Sequence, residues 1–250
     1  MDGLLKTLGI RAKTNTNTGS RQQVSPVRFI KSTKESDGTD SGWLRVRLDN
    51  SKSASLCERT KIQITNSKEG RTYFRIMDGS FKGKLASLTD GNAKLYLSGE
   101  KPTISSSGAV IEVIYSGKER TIYSVIRKDI RQIPARLSFT GNTATVSLTT
   151  IGADSLNPLP EGTYNILVPD VPHDKEYTEQ YKPAYPALKC HQVWFPIEYQ
   201  TNNRYVHVGA ISEGCVTVLD LKLWNQIYDY LISHRRTDLR YVGKLIIRKI

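Results

Sequence analysis

Tyr205-Val206-His207-Val208-Gly209-Ala210-Ile211-Ser212-Glu213-Gly214-Cys215-Val216-Thr217-Val218 sets a histidine and a cysteine eight residues apart between two short runs of β-formers. The alternation predicts a hairpin-like pair of strands joined through Gly209 and Gly214. A thiol attacks a carbonyl carbon as the thiolate, and an adjacent imidazole stabilises that ion or takes its proton, so Cys215 and His207 form a candidate nucleophile and base. Gly214, lacking a side chain, lets the backbone approach a substrate and aim successive N–H groups at a developing oxyanion.

On the C-terminal side, Asp220 is a suitable N-cap for a helix whose Leu221, Trp224, Ile227, Tyr228, Leu231 and Ile232 fall on one face. Arg235 and Arg236 follow at the negative end of its dipole, and residues 241–250 read as a terminal strand. On the N-terminal side, residues 190–199 read as strand. The tyrosine-rich segment 169–186 before them is long enough for a lid, with Tyr177, Tyr181 and Tyr185 as groove-lining candidates. Residues 135–148 form two strands about Gly141-Asn142, and Pro158-Leu159-Pro160-Glu161-Gly162 leads into a strand over 163–168.

The first half alternates as well, with strands expected at 43–48, 61–64, 71–76, 94–97, 110–115 and 121–126 and turns at Asp78-Gly79 and Asp90-Gly91. Residues 1–41 are polar and read as a flexible arm in which only Val27-Arg28-Phe29-Ile30 has the texture of a docking strand. The division this predicts is an arm over 1–41, a basic β-rich module over 42–133 without an assigned role, and a second domain over 134–250. The fold class expected is mostly β: an antiparallel module followed by a β-sandwich-like domain with one amphipathic helix after the cysteine.

Charge separates the halves. Residues 1–133 hold 24 Lys and Arg against 13 Asp and Glu, and residues 134–250 hold 12 against 11. Such an excess either solvates the surface or attracts an anion: nucleic acid, anionic lipid or a cell-wall polymer. Arginines alternating with Trp43, Tyr73 and Phe74 match a stacking platform in part, but the chain has no RNP, zinc-finger or helix-turn-helix signature, which argues against nucleic acid. The three cysteines, Cys57, Cys190 and Cys215, are too scattered for a zinc site or disulfide framework. Cys57 and Cys190 are either a pair or two buried apolar side chains. No run of apolar residues reaches membrane-spanning length, and the start Met1-Asp2-Gly3-Leu4-Leu5-Lys6 predicts no signal peptide.

Three segments, in order, resemble the catalytic domain of the L,D-transpeptidase family, the YkuD-type peptidoglycan enzymes. Leu159-Pro160-Glu161-Gly162-Thr163-Tyr164-Asn165-Ile166 resembles the family's TP-x-G-x-[FY]-x-I strand, Tyr205-Val206-His207-Val208-Gly209 its [IV]-H-G strand, and Ser212-Glu213-Gly214-Cys215-Val216-Thr217-Val218 its S-H-G-C-[IV]-R-[LM] segment. The resemblance covers residues 134–250. It implies a β-sandwich-like domain with Cys215 on the floor of a lidded groove, His207 as base, Ser212 and Gly214 shaping the turn, and the Gly214 and Cys215 amides as oxyanion donors. Glu213 stands where the family carries a histidine, and Thr217 where it carries an arginine.

Glu213, Gly209, His191 and Tyr205 are the groove candidates, and His191 or His173 would replace His207 as base if His207 faced away. The implied substrate is a peptidoglycan tetrapeptide stem, cleaved before its terminal D-alanine, with the thioester passing to an amine or to water. No cofactor or metal is implied. A wall substrate for a chain without a leader implies synthesis in the cytoplasm and non-Sec delivery to the periplasm or wall, with a secretion apparatus or an immunity protein as partners of such an effector. Two readings compete: a non-catalytic wall-binding protein retaining the fold, and a nucleic-acid-binding protein using the basic half.

Overall fold

Two sheets organise the chain in the computed structural model, which describes residues 26–124, 126, 128–152 and 156–250. The first is a seven-stranded antiparallel sheet of β1 (Val27–Ile30), β2 (Trp43–Leu48), β3 (Ser53–Cys57), β4 (Lys61–Lys68), β5 (Arg71–Ile76), β6 (Leu85–Thr89) and β7 (Leu97–Ser98), in the order β3-β2-β6-β5-β4-β1-β7. Alternation decides its faces: Leu44, Val46 and Leu48 of β2 are buried while Arg45 and Arg47 are exposed, and Phe74 and Ile76 of β5 join the same core. Each fully buried side chain of this kind contributes roughly 1.5–3 kcal/mol.

The strand expected at 94–97 is instead mostly helix, α1 (Asp90–Tyr96). The Thr89 hydroxyl accepts from the Asn92 amide at 3.3 Å and caps its N-terminus, and only Ala93 is buried, so local capping overrides a short alternation.

The second sheet takes β9 (Ala109–Tyr115), β10 (Arg120–Ile122), β11 (Ile130–Phe139), β12 (Asn142–Thr150), β13 (Gly162–Leu167), β14 (Phe195–Ile197), β15 (Arg204–Val208), β16 (Val216–Val218) and β18 (Tyr241–Lys249). Strand order runs β11-β12-β16-β15-β14-β13-β18-β9, and β9 pairs again with β11, closing the ring; β10 adds outside it. The mostly β expectation holds, with a closed barrel where a two-layer sandwich was expected. One seam of the ring is a parallel pair, β9 with β18, which needs a glycine: a Cβ on Gly243 would lie 2.7 Å from the Ala109 carbonyl carbon. Pro134, which has no N–H to give a ladder, sits at a register shift in β11.

The passage from one sheet to the other falls between Ser98 and Ala109. Strands β9 and β10, grouped by sequence with the basic module, therefore belong to the barrel. Of the arm expected over 1–41, residues 1–25 lie outside the described residues. Residues 26–41 are held: β1 pairs with β4 and β7, and the Thr33 amide donates to Trp43 O at 2.9 Å.

Helix α2 (Leu221–Ile232) buries Trp224, Ile227, Tyr228, Leu231 and Ile232 against the barrel, as its sequence stripe requires, although Asp220 at its N-cap makes no side-chain cap bond. After it, β17 (His234–Arg236) pairs in parallel with β8 (Thr103–Ser105). Trp43 and Cys57 from the first sheet join the barrel core, so the two sheets share a packed junction. All three cysteines are free and buried. Among the described residues no helix is long and apolar enough to cross a membrane.

Candidate active site

The run around His207 and Cys215 is not a hairpin. β15 and β16 pair in parallel, with Val206 opposite Val216, His207 opposite Thr217 and Val208 opposite Val218. Parallel neighbours ordinarily need a crossover of a dozen residues or more. Here residues 209–215 double back instead, and the return is pinned at every turn. The Gly209 amide donates to Val218 O at 3.1 Å, the Thr150 amide to Ser212 O at 2.8 Å, and the Ser212 amide to the Thr150 hydroxyl at 2.9 Å. The Ser212 hydroxyl then donates to Cys215 O at 2.9 Å, and the Arg204 guanidinium donates to Glu213 O. Gly214, at φ +82°, has no room for a Cβ, which would meet the Arg204 guanidinium carbon at 2.6 Å and Asn157 O at 2.9 Å. Ser212 and Gly214 thus do shape the turn.

Period-two alternation puts Tyr205 and His207 on one face of β15, beside Cys215 and Thr217 from the β16 side. His207 and Cys215 open onto one cavity of about 630 Å³. Gly209 and the exposed Glu213 line it too, and its far side comes from the 169–186 segment through His173, Tyr177 and Tyr181. That segment folds as two short 3-10 turns, Lys175–Tyr177 and Glu179–Tyr181, tied to the return loop where the Ala210 amide donates to the Tyr181 hydroxyl at 2.7 Å. Of the three tyrosines suggested for the groove, Tyr185 packs against the barrel core instead.

Sequence reasoning missed Trp194, which joins two imidazoles. His207 and His173 each stack on its ring at 4.0 Å between centroids. Tyr205 meets His173 and Trp194 edge-on and is not among the residues that line the cavity. The available signal was Trp194 alternating with the apolar Val193 and Phe195, a pattern shared by any half-buried strand residue.

His191 does not reach the cavity. It is buried, with Nδ1 2.7 Å from the Thr178 hydroxyl and Nε2 3.3 Å from the Glu35 carboxylate. Glu35 in turn meets Lys182 at 2.5 Å. His191 therefore anchors the cavity-lining segment to the N-terminal residues. His234 bonds through Nδ1 to Tyr230 O at 2.7 Å, at the C-terminal end of α2.

The Nδ1 of His207 lies 2.9 Å from Val208 O, an acceptor only, so Nδ1 carries the proton and Nε2 presents a lone pair. The Thr217 hydroxyl stands 3.0 Å from Nε2 and 3.3 Å from Ile211 O, two acceptors for its single proton. Cys215 Sγ takes a backbone hydrogen bond from Tyr205, and among the described residues no hydrogen bond joins it to His207. Burial pushes the thiol up to about 11, against the backbone bond and the nearby Arg204 charge. Burial likewise pulls His207 down to about 4. At neutral pH the pair is thus a neutral thiol and a neutral imidazole whose Nε2 lone pair faces the Thr217 hydroxyl, an arrangement suited to general-base activation rather than to a preformed thiolate.

Among the described residues no group of three or more His, Cys, Asp or Glu is placed to hold a metal ion. No family model, no curated protein and no solved structure matches the chain.

Proposed function

We propose that the chain is a cysteine acyltransferase acting on peptidoglycan tetrapeptide stems, as an L,D-transpeptidase or L,D-carboxypeptidase. The observation that carries this reading is the convergence of Cys215 and His207, with its Nε2 lone pair, on one cavity of about 630 Å³ bordered by the 169–186 segment. In the reaction, Cys215 Sγ bonds to the carbonyl carbon before the terminal D-alanine while its proton passes to His207 Nε2. The Gly214 and Cys215 amides receive the oxyanion. The C–N bond breaks, the D-alanine amine leaves with the proton from His207, and the thioester then passes to an acceptor amine or to water. Thr217 supports the imidazolium state: Nε2–H donates to its hydroxyl, which turns its own proton to Ile211 O. Action in the periplasm or wall belongs to the same proposal.

Incubation with tetrapeptide-stem muropeptides, with products read by mass spectrometry beside Cys215→Ala, tests it. D-alanine release or dimers from the parent alone are expected; neither product from the parent would overturn it. A second reading, a wall-binding protein without turnover, draws on the neutral, buried state of both groups. It predicts saturable muropeptide binding that Cys215→Ala leaves intact, with no acyl-enzyme formed by a carbapenem.

A further inference from the structure

The six strands β1 to β6 carry seven Lys and Arg and not one Asp or Glu. Their alternation sends most of this charge to one side. Apart from Trp43 and Cys57, which meet the barrel at one end of the outward face, apolar positions face the sheet's own core, and the outward positions of β2 and β5 hold Arg45, Arg47, Arg71 and Arg75, joined by Lys61 and Lys68 of β4. The register lines them up: Arg47 lies opposite Ser53 on one side and Ser87 on the other, Tyr73 opposite Ser87, Arg75 opposite Gln63, and Arg71 opposite Lys68. Along a strand, such alternate positions recur every ~6.8 Å.

Among the described residues none of these six cations makes an ion pair. Their polar contacts are neutral: Arg47 with the Ser51 hydroxyl, Arg71 with the Ser87 hydroxyl, and Arg75 with Gly83 O. The nearby carboxylates lie at the turns, in Asp49, Glu69 and Asp90, and in the buried Asp78; Asp90 is engaged by the Thr72 hydroxyl at 2.8 Å, and Asp78 accepts from the Lys61 amide at 3.0 Å and faces Arg235. A face with unpaired guanidinium forks among serine hydroxyls is complementary to phosphate groups on a hydroxylated chain. A nucleobase is less well served. Tyr73, the ring set among these arginines, has the Lys68 ammonium over it at 5.8 Å from its centroid, a contact with which a stacked base would have to compete.

We infer that this sheet face is a docking surface for a linear anionic wall polymer of phosphodiester-linked polyols. The proposal rests on the peptidoglycan reading only for where such a polymer would be met; its recognition is independent of Cys215 and His207.

The test uses the full chain carrying Cys215→Ala, so that failed turnover and failed docking are separate results. Binding to a fluorescent synthetic poly(glycerol phosphate) chain is titrated at several salt concentrations, with a single-stranded oligodeoxynucleotide of equal phosphate number in parallel. Arg45→Gln with Arg75→Gln should weaken polymer binding about tenfold and reduce the salt slope by about 2. The control pair Arg136→Gln with Lys222→Gln removes the same charge from exposed sites outside this face and should change binding less than about twofold. Matching thermal melts keep a folding defect distinct from lost contacts. No saturable binding, an equal loss in the control, or tighter binding to the oligonucleotide would each overturn the proposal.

Discussion

Arg235 is fully buried at the junction of the two sheets, and Arg235→Met puts a magnitude on that junction. Its guanidinium donates to Ile232 O at 2.9 Å and His234 O at 2.8 Å at the end of α2, and to Glu58 O at 3.3 Å beyond β3. It also faces Asp78, likewise buried, at 3.8 Å. Removing one partner of a buried pair ordinarily costs about 3–5 kcal/mol, because the other charge stays behind. Asp78 moderates this. Burial already lifts its carboxyl to about 6 despite the neighbouring Arg235, so without the cation it holds a proton near neutrality and the loss falls toward ~3 kcal/mol.

The sign with pH follows. With a folded pKa above the unfolded 3.8, the contribution of Asp78 is fully present below about 3.8 and is lost as pH rises through about 6. Removing Arg235 extends that loss to higher pH, so the variant should be penalised more at pH 8 than at pH 5. Urea unfolding followed by tryptophan fluorescence at both values measures it, and Arg235→Met with Asp78→Asn should recover about half the loss. A single variant within ~1 kcal/mol of the parent, or a penalty independent of pH, would refute the assignment of this pair.

Four further outcomes are expected. Gly214→Ala should cost roughly 1–3 kcal/mol, since φ +82° and the Arg204 contact both oppose a Cβ; an unchanged melting temperature would contradict this. Alkylation of Cys215 by iodoacetamide should be slow at pH 7 and climb about tenfold per pH unit toward about 11, whereas a plateau below pH 8 would mean a preformed thiolate. Trp194→Ala opens the His207 ring to water, so its NMR titration should move from about 4 up toward 6.5; a midpoint that stays put would show that Trp194 is not what excludes water. In the parent, His207 contributes stability that is full above 6.5 and is lost as pH falls through about 4, opposite in sign to Asp78. Lys182→Met releases Glu35, Asp37 and Thr39 together, and amide exchange over residues 176–185 should rise at least tenfold, with unchanged protection as the contrary result.

Local pattern sufficed wherever one face of an element meets a core and the other meets water. The alternation of Arg45 and Arg47 with Leu44, Val46 and Leu48 gave β2, and the spacing of Trp224, Ile227, Tyr228 and Leu231 gave α2. It failed where something outside the alternating run decides, whether a nearby cap or a strand distant in sequence. The 94–97 run alternates like a strand, but Thr89, five residues before it, caps a helix. The grouping of β9 with the first half followed charge, yet Val110 and Glu112 take their places from Lys244 and Ile246 of β18, a pairing no local composition encodes.

The candidate site divides along the same line. His207, Gly209, Ser212, Gly214 and Cys215 were legible because their spacing is short and the chemistry of thiol, imidazole and glycine is intrinsic. The direction of the chain between them was not, since two runs of β-formers around glycines look alike whether they pair antiparallel or, as here, in parallel. That difference decides the chemistry. In parallel register the residue opposite His207 is Thr217, not Cys215, so the hydroxyl becomes the imidazole's resting partner and the thiol takes its backbone bond from Tyr205. A thiol and an imidazole that rest on separate partners stay neutral, and in the proposed reaction proton transfer between them requires the Thr217 hydroxyl to turn its proton to Ile211 O. In the proposed reaction substrate entering the cavity is the event that brings this about, so the proposal ties the reactivity of Cys215 to occupancy of the space bounded by Tyr177 and Tyr181.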